Sequence, residues 1–422
     1  MNFNLEEALA TLTKAKSNVK RRLEDLARIG RDPKGGVTRL AYSQEENFAF
    51  DYIKRVGISY GLIAKEDPVG NLYLELPGSP SEDLVIIGSH LDTVPQGGMF
   101  DGTVGVICSL EIAKILSQAK LKRKLVIAAF RGEESSRFKI SLIGSSIATG
   151  QLNPNMLEAK DSKGVKLKDA IRSCGFDPDR LREAVLPLKK IRAYLEYHIE
   201  QGPVLEAYGC PVGVVTAIAA PVRYKVSFSG EWAHSGATPM NLRKDALVAA
   251  ADFVLTVRAI CARRGDVVGT VGDLQIPGGS INKVPGEVVL YLDVRGVDLS
   301  ERERTVQEIF ELTRKKAESY SVSMNFMKIE EKFPQKLSNQ IIKFLERACD
   351  LTNVEYLLMP SGASHDALSF SKVGVPTGML FCQSKGGISH SPREFSQLDH
   401  ILAGARALLV ATYMLTTASH YS

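Results

Sequence analysis

From residue 1 to about 210, short apolar runs alternate with amphipathic stretches, beginning with a polar helical segment through Ile29 and a second near Glu45 to Val56. Such alternation predicts an α/β unit. The runs LVIIGS (84–89), KLVIAAF (124–130) and AYLEYH (193–198) are continuous rather than alternating, as strands covered on both faces of a largely parallel sheet should be. Between the first two, the apolar spacing from Val104 to Gln118 reads as a crossover helix.

The pattern changes after Pro221. RYKVSFSGEW (223–232) alternates, Lys244 to Arg263 is helical, VVGTVGDLQI (267–276) and EVVLYLDVRG (287–296) alternate again, Ser300 to Ser319 is helical, and VSMNFMKIEE (322–331) closes the series. That order, β-α-β-β-α-β, predicts the split βαβ of a ferredoxin-like domain. From about 332 the parallel-sheet pattern returns, with a helix near Asn339 to Asp350, a strand at GMLFCQ (378–383) and a last helix at Asp399 to Leu415. The expected fold class is therefore α/β: a discontinuous, mostly parallel-sheet domain formed by 1–217 and 332–422, carrying a ferredoxin-like insertion at 218–331. No internal repeat or low-complexity tract interrupts it.

Composition narrows the class. At 422 residues and 44% hydrophobic content the chain can bury a large core without staples. The net charge of +5 is the small difference between 53 basic and 48 acidic residues, interspersed along the chain, so nucleic acid is not an expected partner. Cys108, Cys174, Cys210, Cys261, Cys349 and Cys382 lie far apart with no CxxC pair, which reads as buried thiols in a reducing compartment. The first residues lack an apolar leader and no run approaches about eighteen uninterrupted apolar residues, so a cytoplasmic protein without a membrane span is expected.

In an open parallel sheet, ligands bind beyond the carboxyl ends of the strands. The residues just past each predicted strand here are polar. The first runs into Ser89-His90-Leu91-Asp92-Thr93, with Asp101-Gly102 eleven residues past the histidine; the second ends in Arg131-Gly132-Glu133-Glu134, the third in His198-Ile199-Glu200-Gln201-Gly202, and the late strand leads to Ser389-His390-Ser391-Pro392. Singly, a strand-end histidine reads as readily as a hydrogen-bonded structural residue, Asp101 as an N-cap, Asp92 as a turn former and Glu133-Glu134 as a solvated loop. Jointly they do not, because the chain has only 7 histidines and His90, His198 and His390 all fall just past predicted strands.

Imidazoles and carboxylates without cysteine suit zinc, manganese, cobalt or nickel in an open coordination site. Asp92, two residues beyond His90, is placed to accept the other ring N–H of that histidine. Adjacent glutamates supply one ligand and one base, so two metals sharing Asp101 would activate a water whose proton Glu133 takes.

With these residues in view, the sequence resembles the dinuclear-metal amidohydrolases that comprise N-carbamoyl-L-amino-acid hydrolases of the hydantoinase/carbamoylase type, allantoate amidohydrolases and β-ureidopropionases, relatives of the aminoacylase and carboxypeptidase exopeptidases. The segments that carry it are GGVTRLAYS (35–43), GSHLDTVPQGGMFDGTVGV (88–106), GEESSRF (132–138), EYHIEQGPVLE (196–206), AHSGATPMNLRKDA (233–246), INKVPGEVVLYLDVR (281–295), PSGASHDA (360–367) and GGISHSPREF (386–395). His198 matters most, because the exopeptidase relatives typically have a carboxylate there.

The resemblance implies two divalent ions per subunit, zinc or manganese with cobalt and nickel as further candidates. His90 and His198 would hold one, Glu134 and His390 the other, with Asp101 bridging and Glu133 as general base. It also implies that His234 polarises the scissile carbonyl or stabilises the tetrahedral oxyanion from the partner subunit of a homodimer, that Asn282 and Arg295 hold the substrate carboxylate, and that Gln201 contacts the carbamoyl group. The 218–331 insertion would be the lid and dimerisation domain.

The implied reaction releases an L-amino acid, carbon dioxide and ammonia from a small N-carbamoyl-L-amino acid. Allantoate or β-ureidopropionate is the alternative substrate; an aminoacylase or peptidase is disfavoured by His198, and a non-catalytic metal-dependent binding protein by the intact Glu133. Three positions depart from the family pattern without removing a ligand: Arg131-Gly132 before the glutamate pair, Ser135-Ser136 after it, and Ser364. His365 and Asp366 are expected to buttress the site, Arg137 to anchor the loop after Glu134, and His400 and His420 to be ordinary helix and tail residues.

Overall fold

The computed structural model describes residues 3–151 and 153–418; His420 lies outside the described residues. The chain divides into two compact units, one comprising Met1–Thr216, Leu337–Ser361 and His365–Ser422, the other Ala217–Lys336 with Gly362–Ser364.

Strands β1 to β6 are Ile63–Glu66, Leu72–Leu76, Leu84–His90, Lys124–Phe130, Ile191–Ile199 and Val212–Ile218. Strands β7 to β12 are Ala220–Ser229, Ala233–His234, Val267–Gln275, Lys283–Val284, Glu287–Gly296 and Ser323–Glu331, and β13 to β15 are Gln335–Lys336, Tyr356–Ser361 and Thr377–Cys382. The large mixed sheet has the order β1-β2-β4-β3-β5-β15-β6-β13, with β14 also paired to β6. Its centre, β4-β3-β5-β15, is parallel, and the pairings of β2 with β4 and of β15 with β6 are antiparallel.

The continuous apolar runs occupy that centre. Val85, Ile86 and Ile87 of β3, and Leu125, Ile127 and Ala128 of β4, are buried, because helices cover the sheet. The Thr103–Leu116 helix is buried on almost every side, packing on β3, β4 and β5. The Leu398–Thr417 helix is long and apolar enough to cross a membrane by length and composition. Here that apolarity packs against the Asn339–Leu351 helix, β15 and β5.

Several elements differ from the sequence expectation. The N-terminal segment is two helices, Leu5–Lys14 and Lys16–Arg28, broken at Ala15 (φ −75°, ψ 0°), which the uninterrupted apolar spacing gives no reason to expect. Strands β1, β2, β6 and β14 have no counterpart in that expectation: β1 is largely exposed, and β6 merges with β7 into one apolar run, VGVVTAIAAPV, without a Gly or Pro between them. Of the cysteines, Cys174 and Cys210 are only half-buried; all six are free thiols.

In the smaller unit the chain order is strand, helix, strand, strand, helix, strand, forming an antiparallel sheet β12-β7-β11-β9. Alternation in β7 sends Val222, Tyr224, Val226 and Phe228 into a core shared with the Ala246–Cys261 and Leu299–Ser319 helices. The intervening Arg223, Lys225 and Ser227 are more exposed, the period-two pattern of a sheet covered on one face.

Candidate metal centre

His90 is the last residue of β3 and His198 the last but one of β5, so two strands of the parallel core deliver two imidazoles to the same end of the sheet. Their Nε2 atoms are 3.4 Å apart. Each ring's Nδ1 faces a backbone carbonyl, Asp92 O at 3.1 Å for His90 and Ile199 O at 2.9 Å for His198. Nδ1–H donating to those carbonyls dictates the tautomer with a lone pair on Nε2, the form that binds metal. Both Nε2 atoms point at Asp101 Oδ1, at 3.3 Å and 3.1 Å.

The other oxygen of Asp101 faces away from this pair. Asp101 Oδ2 is 3.5 Å from His390 Nε2, which is itself 3.2 Å from Glu134 Oε1. The candidate donor atoms thus form two groups that share Asp101 and could each hold an ion: His90, Asp101 and His198, all buried, and Asp101, Glu134 and His390.

Local backbone demands explain how these side chains converge. Gly102, with φ +63°, opens the Thr103–Leu116 helix, and a Cβ there would lie 2.5 Å from the His90 ring, so only glycine lets Asp101 approach His90. His390 and Gln201 both hold positive φ, 53° and 59°, strained positions of the kind that cluster at functional sites.

Asp92 lies beside the His90 ring, as expected, but its shorter contacts are elsewhere. Its carboxylate Oδ1 is 3.5 Å from His90 Nδ1, farther than its own carbonyl oxygen. Instead Oδ1 and Oδ2 accept the backbone N–H groups of Glu133 and Glu134, each at 3.0 Å. Asp92 therefore orients the glutamate loop, and the His90 ring is oriented by the Asp92 backbone.

Glu133 is buried, with Oε2 4.0 Å from His90 Nε2, outside both ligand groups. Burial, opposed by His90 and reinforced by Glu134, holds its carboxyl well above the usual carboxylate range. Glu134 is raised by burial too. His390 is pushed up to about 10, chiefly by its hydrogen bond to Asp101 and then by Glu134. Buried carboxylates that resist ionising, beside an imidazole that recruits a proton, describe a cluster short of positive charge. Divalent cations fit that deficit, and the N/O donor set fits zinc or manganese in an open site.

Gln201 Nε2 donates to Asp101 Oδ2 at 2.7 Å and to Ser389 Oγ at 3.2 Å. In the larger unit the fold therefore brings together His90, Asp92, Asp101, Glu133, Glu134, His198, Gln201 and His390. The ring of buried His365 lies 4.5 Å from that of His198, with its Nε2 on Ser361 Oγ at 3.0 Å. Both carboxylate oxygens of Asp366 are buried. His400 lies on the Leu398–Thr417 helix, its carbonyl facing Tyr197 Oη at 3.4 Å.

In the smaller unit, His234 and Asn282 are neighbours. β8 pairs with β10, placing His234 opposite Lys283, and Ser235 N–H donates to Asn282 O at 3.0 Å. Both side chains are exposed, with His234 Nδ1 accepting from Gly236 N–H at 3.1 Å. Arg295 on β11 is held by Asp293, Nε to Oδ1 at 2.9 Å, and donates through NH1 to Gly362 O at 3.1 Å.

One departure from the family pattern, Arg131, has a structural explanation, and Arg137 holds the loop it was expected to anchor. Arg131 is fully buried, paired with Glu46 at 2.8 Å, donating to Gly70 O at 2.7 Å and stacked over Phe50 at 4.0 Å. Arg137 donates to Ala41 O and Tyr42 O at 2.7 Å and 2.6 Å and to Asp161, anchoring the loop beyond Glu134.

Sequence reasoning missed the residues that brace the ligands. Arg39, fully buried, donates to Leu91 O, between His90 and Asp92, and to Leu26 O and Ile29 O. Glu196 accepts from Ser89 Oγ at 2.8 Å and from Ala367 N–H at 2.7 Å. Glu394 accepts from the backbone of Phe100 and Asp101. The available signal was their position inside the motif segments: Arg39 in GGVTRLAYS, Glu196 just before His198, and Glu394 just after His390.

Against known proteins, the profile described as "Peptidase family M20/M25/M40" matches residues 86–412. An N-carbamoyl-L-amino acid amidohydrolase of Geobacillus stearothermophilus is 37% identical over 397 residues, covering 93% of this chain and 97% of that protein. The allantoate amidohydrolase of Escherichia coli (strain K12) is 33% identical over 411 residues, covering 96% and 99%. Among solved structures, a hydantoinase/carbamoylase family amidase from Burkholderia multivorans superposes with a TM-score of 0.89 at 29% identity, covering 96% of this chain and 98% of that one.

Proposed function

This chain belongs to peptidase family M20/M25/M40 and is an amidohydrolase acting on C–N bonds, and we propose that it hydrolyses the carbamoyl C–N bond of N-carbamoyl-L-amino acids with two divalent ions. The observation that carries the proposal is Asp101, whose two carboxylate oxygens face separate donor groups: His90 and His198 on one side, His390 with Glu134 on the other. These five side chains are the proposed ligands, with zinc or manganese as the ions and Asp101 between them. When bound, the ions would supply Lewis-acid activation of water and of the scissile carbonyl.

The remaining steps belong to this chain's side chains. Glu133 is buried, outside both ligand groups, and raised in pKa, which suits a base that takes the attacking water's proton and returns it to the leaving nitrogen. Asp92 fixes Glu133 and Glu134 through their backbone amides, so base and ligand keep one spacing. Gln201, whose side-chain amide lies against Asp101 Oδ2 and Ser389 Oγ, is the proposed contact for the carbamoyl group. Arg295 and Asn282 are the proposed holders of the substrate carboxylate, for which a guanidinium fork is suited. His234 is the proposed donor to the developing oxyanion, acting from the partner subunit of a homodimer in which the ferredoxin-like unit is lid and dimerisation domain. Its exposed position at the end of β8 supports a group that meets its target from outside its own unit.

Allantoate is the second reading, favoured by the 33% identity to an allantoate amidohydrolase over nearly all of both chains. A side-by-side turnover assay with N-carbamoyl-L-amino acids, allantoate and β-ureidopropionate decides between them; dominance of allantoate replaces the first reading. Glu133→Gln is expected to cut turnover by about 10²- to 10⁴-fold while elemental analysis finds the metal content unchanged. Loss of metal from that variant would assign Glu133 to the ligands instead.

A further inference from the structure

Glu394 lies 293 residues from Asp101 in the sequence and is buried, and its carboxylate is spent entirely on the metal centre's loops. Oε1 accepts the backbone N–H groups of Phe100 at 3.0 Å and of Asp101 at 3.1 Å. Oε2 accepts from Ser389 Oγ at 3.0 Å, and that hydroxyl also lies 3.2 Å from Asp101 Oδ2 and 3.2 Å from Gln201 Nε2.

One side chain therefore ties the loop that carries Asp101 to the loop that carries His390. The close approach is built into both sides of the contact. A Cβ on Gly98 would lie 2.0 Å from Glu394 Oε1, so glycine there is what admits the carboxylate. His390, between Ser389 and Glu394, is held at φ 53°, a conformation that costs energy unless its surroundings enforce it. Glu394 N–H donating to Ser391 O at 3.0 Å closes the turn around it.

We infer that Glu394 is a positioning residue that sets the spacing of Asp101 and His390, and that Gly98 is the glycine that makes room for it. The inference rests on the proposed ligand assignment and adds a brace that no motif reading identifies. Glu394 touches no proposed ligand atom itself; it acts through the Asp101 amide and the Ser389 hydroxyl. A carboxylate so used is not exchangeable with a shorter or apolar side chain, because both amides would lose their acceptor in a buried place.

The experiment uses the full chain loaded with Mn²⁺ or Zn²⁺ and reads metal affinity by competition with a chelating dye, alongside kcat, KM and Tm. Glu394→Ala is expected to weaken metal binding about 10- to 100-fold and to lower kcat with KM nearly unchanged. Glu394→Gln keeps an amide oxygen for both N–H donors and is expected to restore most of the affinity. Gly98→Ala, which leaves Glu394 in place but displaces its carboxylate, is expected to reproduce the Glu394→Ala phenotype. Folded Glu394→Ala and Gly98→Ala proteins with wild-type metal affinity overturn the inference, even with a lowered Tm. Should Glu394→Ala fail to fold, Gly98→Ala and Ser389→Ala decide it by the same readout. Wild-type protein that binds no metal defeats the ligand assignment instead, and the two failures are thereby distinct.

Discussion

The candidate groups in the larger unit and those in the smaller one are held in opposite ways. Around Asp101, the proposed ligands are fixed by second contacts: His90 by the Asp92 carbonyl, His198 by Ile199 O, Glu134 by Asp92 through its amide, and Asp101 by Glu394. In the smaller unit, the side chains of His234 and Asn282 are exposed and touch only groups of their own hairpin among the described residues, and Arg295 leans on Asp293. Groups that must hold charge in a low-dielectric site need bracing before anything binds, since an unpaired buried charge is costly. Groups that only meet a substrate can wait in solvent. The contrast predicts that changes in the first set remove metal, whereas changes in the second leave metal in place and alter kinetics.

The largest effect is expected from Asp101→Ala. Its carboxylate is the one feature common to both ligand groups, so metal content measured after dialysis should fall for both ions and activity should vanish. Retention of one full equivalent would show the two groups to be independent and would break the idea of a shared bridge.

His234→Ala should come next. Loss of one donor to a developing oxyanion costs about 10²- to 10³-fold in kcat, and metal content should not change. Mixing His234→Ala subunits with Glu133→Gln subunits tests whether the histidine works across a dimer: recovered activity in the mixture supports it, and none refutes it.

Arg295→Ala should raise KM about 10- to 100-fold, the worth of a charge-assisted hydrogen bond. Stability should barely move, because Asp293 keeps Arg223, whose Nε lies 2.8 Å from its Oδ2. A drop in Tm with KM unchanged would mean that the Arg295–Asp293 pair is structural.

Legibility in the sequence divides along similar lines. The proposed ligands His90 and His198 are legible because they sit where strands end, and strand ends of a parallel sheet are recognisable from continuous apolar runs such as LVIIGS and KLVIAAF. Glu133 and Glu134 are legible as a pair for the same reason. The braces are not. Glu394 occupies a polar loop, SPREFS, whose composition predicts exposure, and only contact with a loop 293 residues away makes it buried. Arg131 shows in the sequence only as a departure before the glutamate pair, whereas in the fold three aromatic rings and Glu46 enclose it. Asp92 reads as the partner of the residue two before it, and its shorter hydrogen bonds, to residues 41 and 42 positions on, reach the next strand's loop. Strand β14 escapes notice because YLLMPS contains Pro360, which weakens any strand expectation, and because it pairs off the main path of the sheet.

The smallest effect should come from Asn282. Its Oδ1 accepts from Ser280 Oγ at 2.8 Å, a contact local to the turn, while its backbone carbonyl receives Ser235 N–H and so keeps β8 and β10 in register whatever the side chain. Asn282→Ala therefore removes one neutral, exposed hydrogen-bonding group without disturbing the backbone pairing. The loss of a single such bond to substrate is worth roughly 0.5–1.5 kcal/mol, or about two- to tenfold in KM. Metal affinity and Tm should match the wild type. A kcat loss as large as that of His234→Ala would mean that Asn282 takes part in the chemical step, and the division between braced ligands and solvent-exposed substrate contacts would then have to be redrawn within this turn.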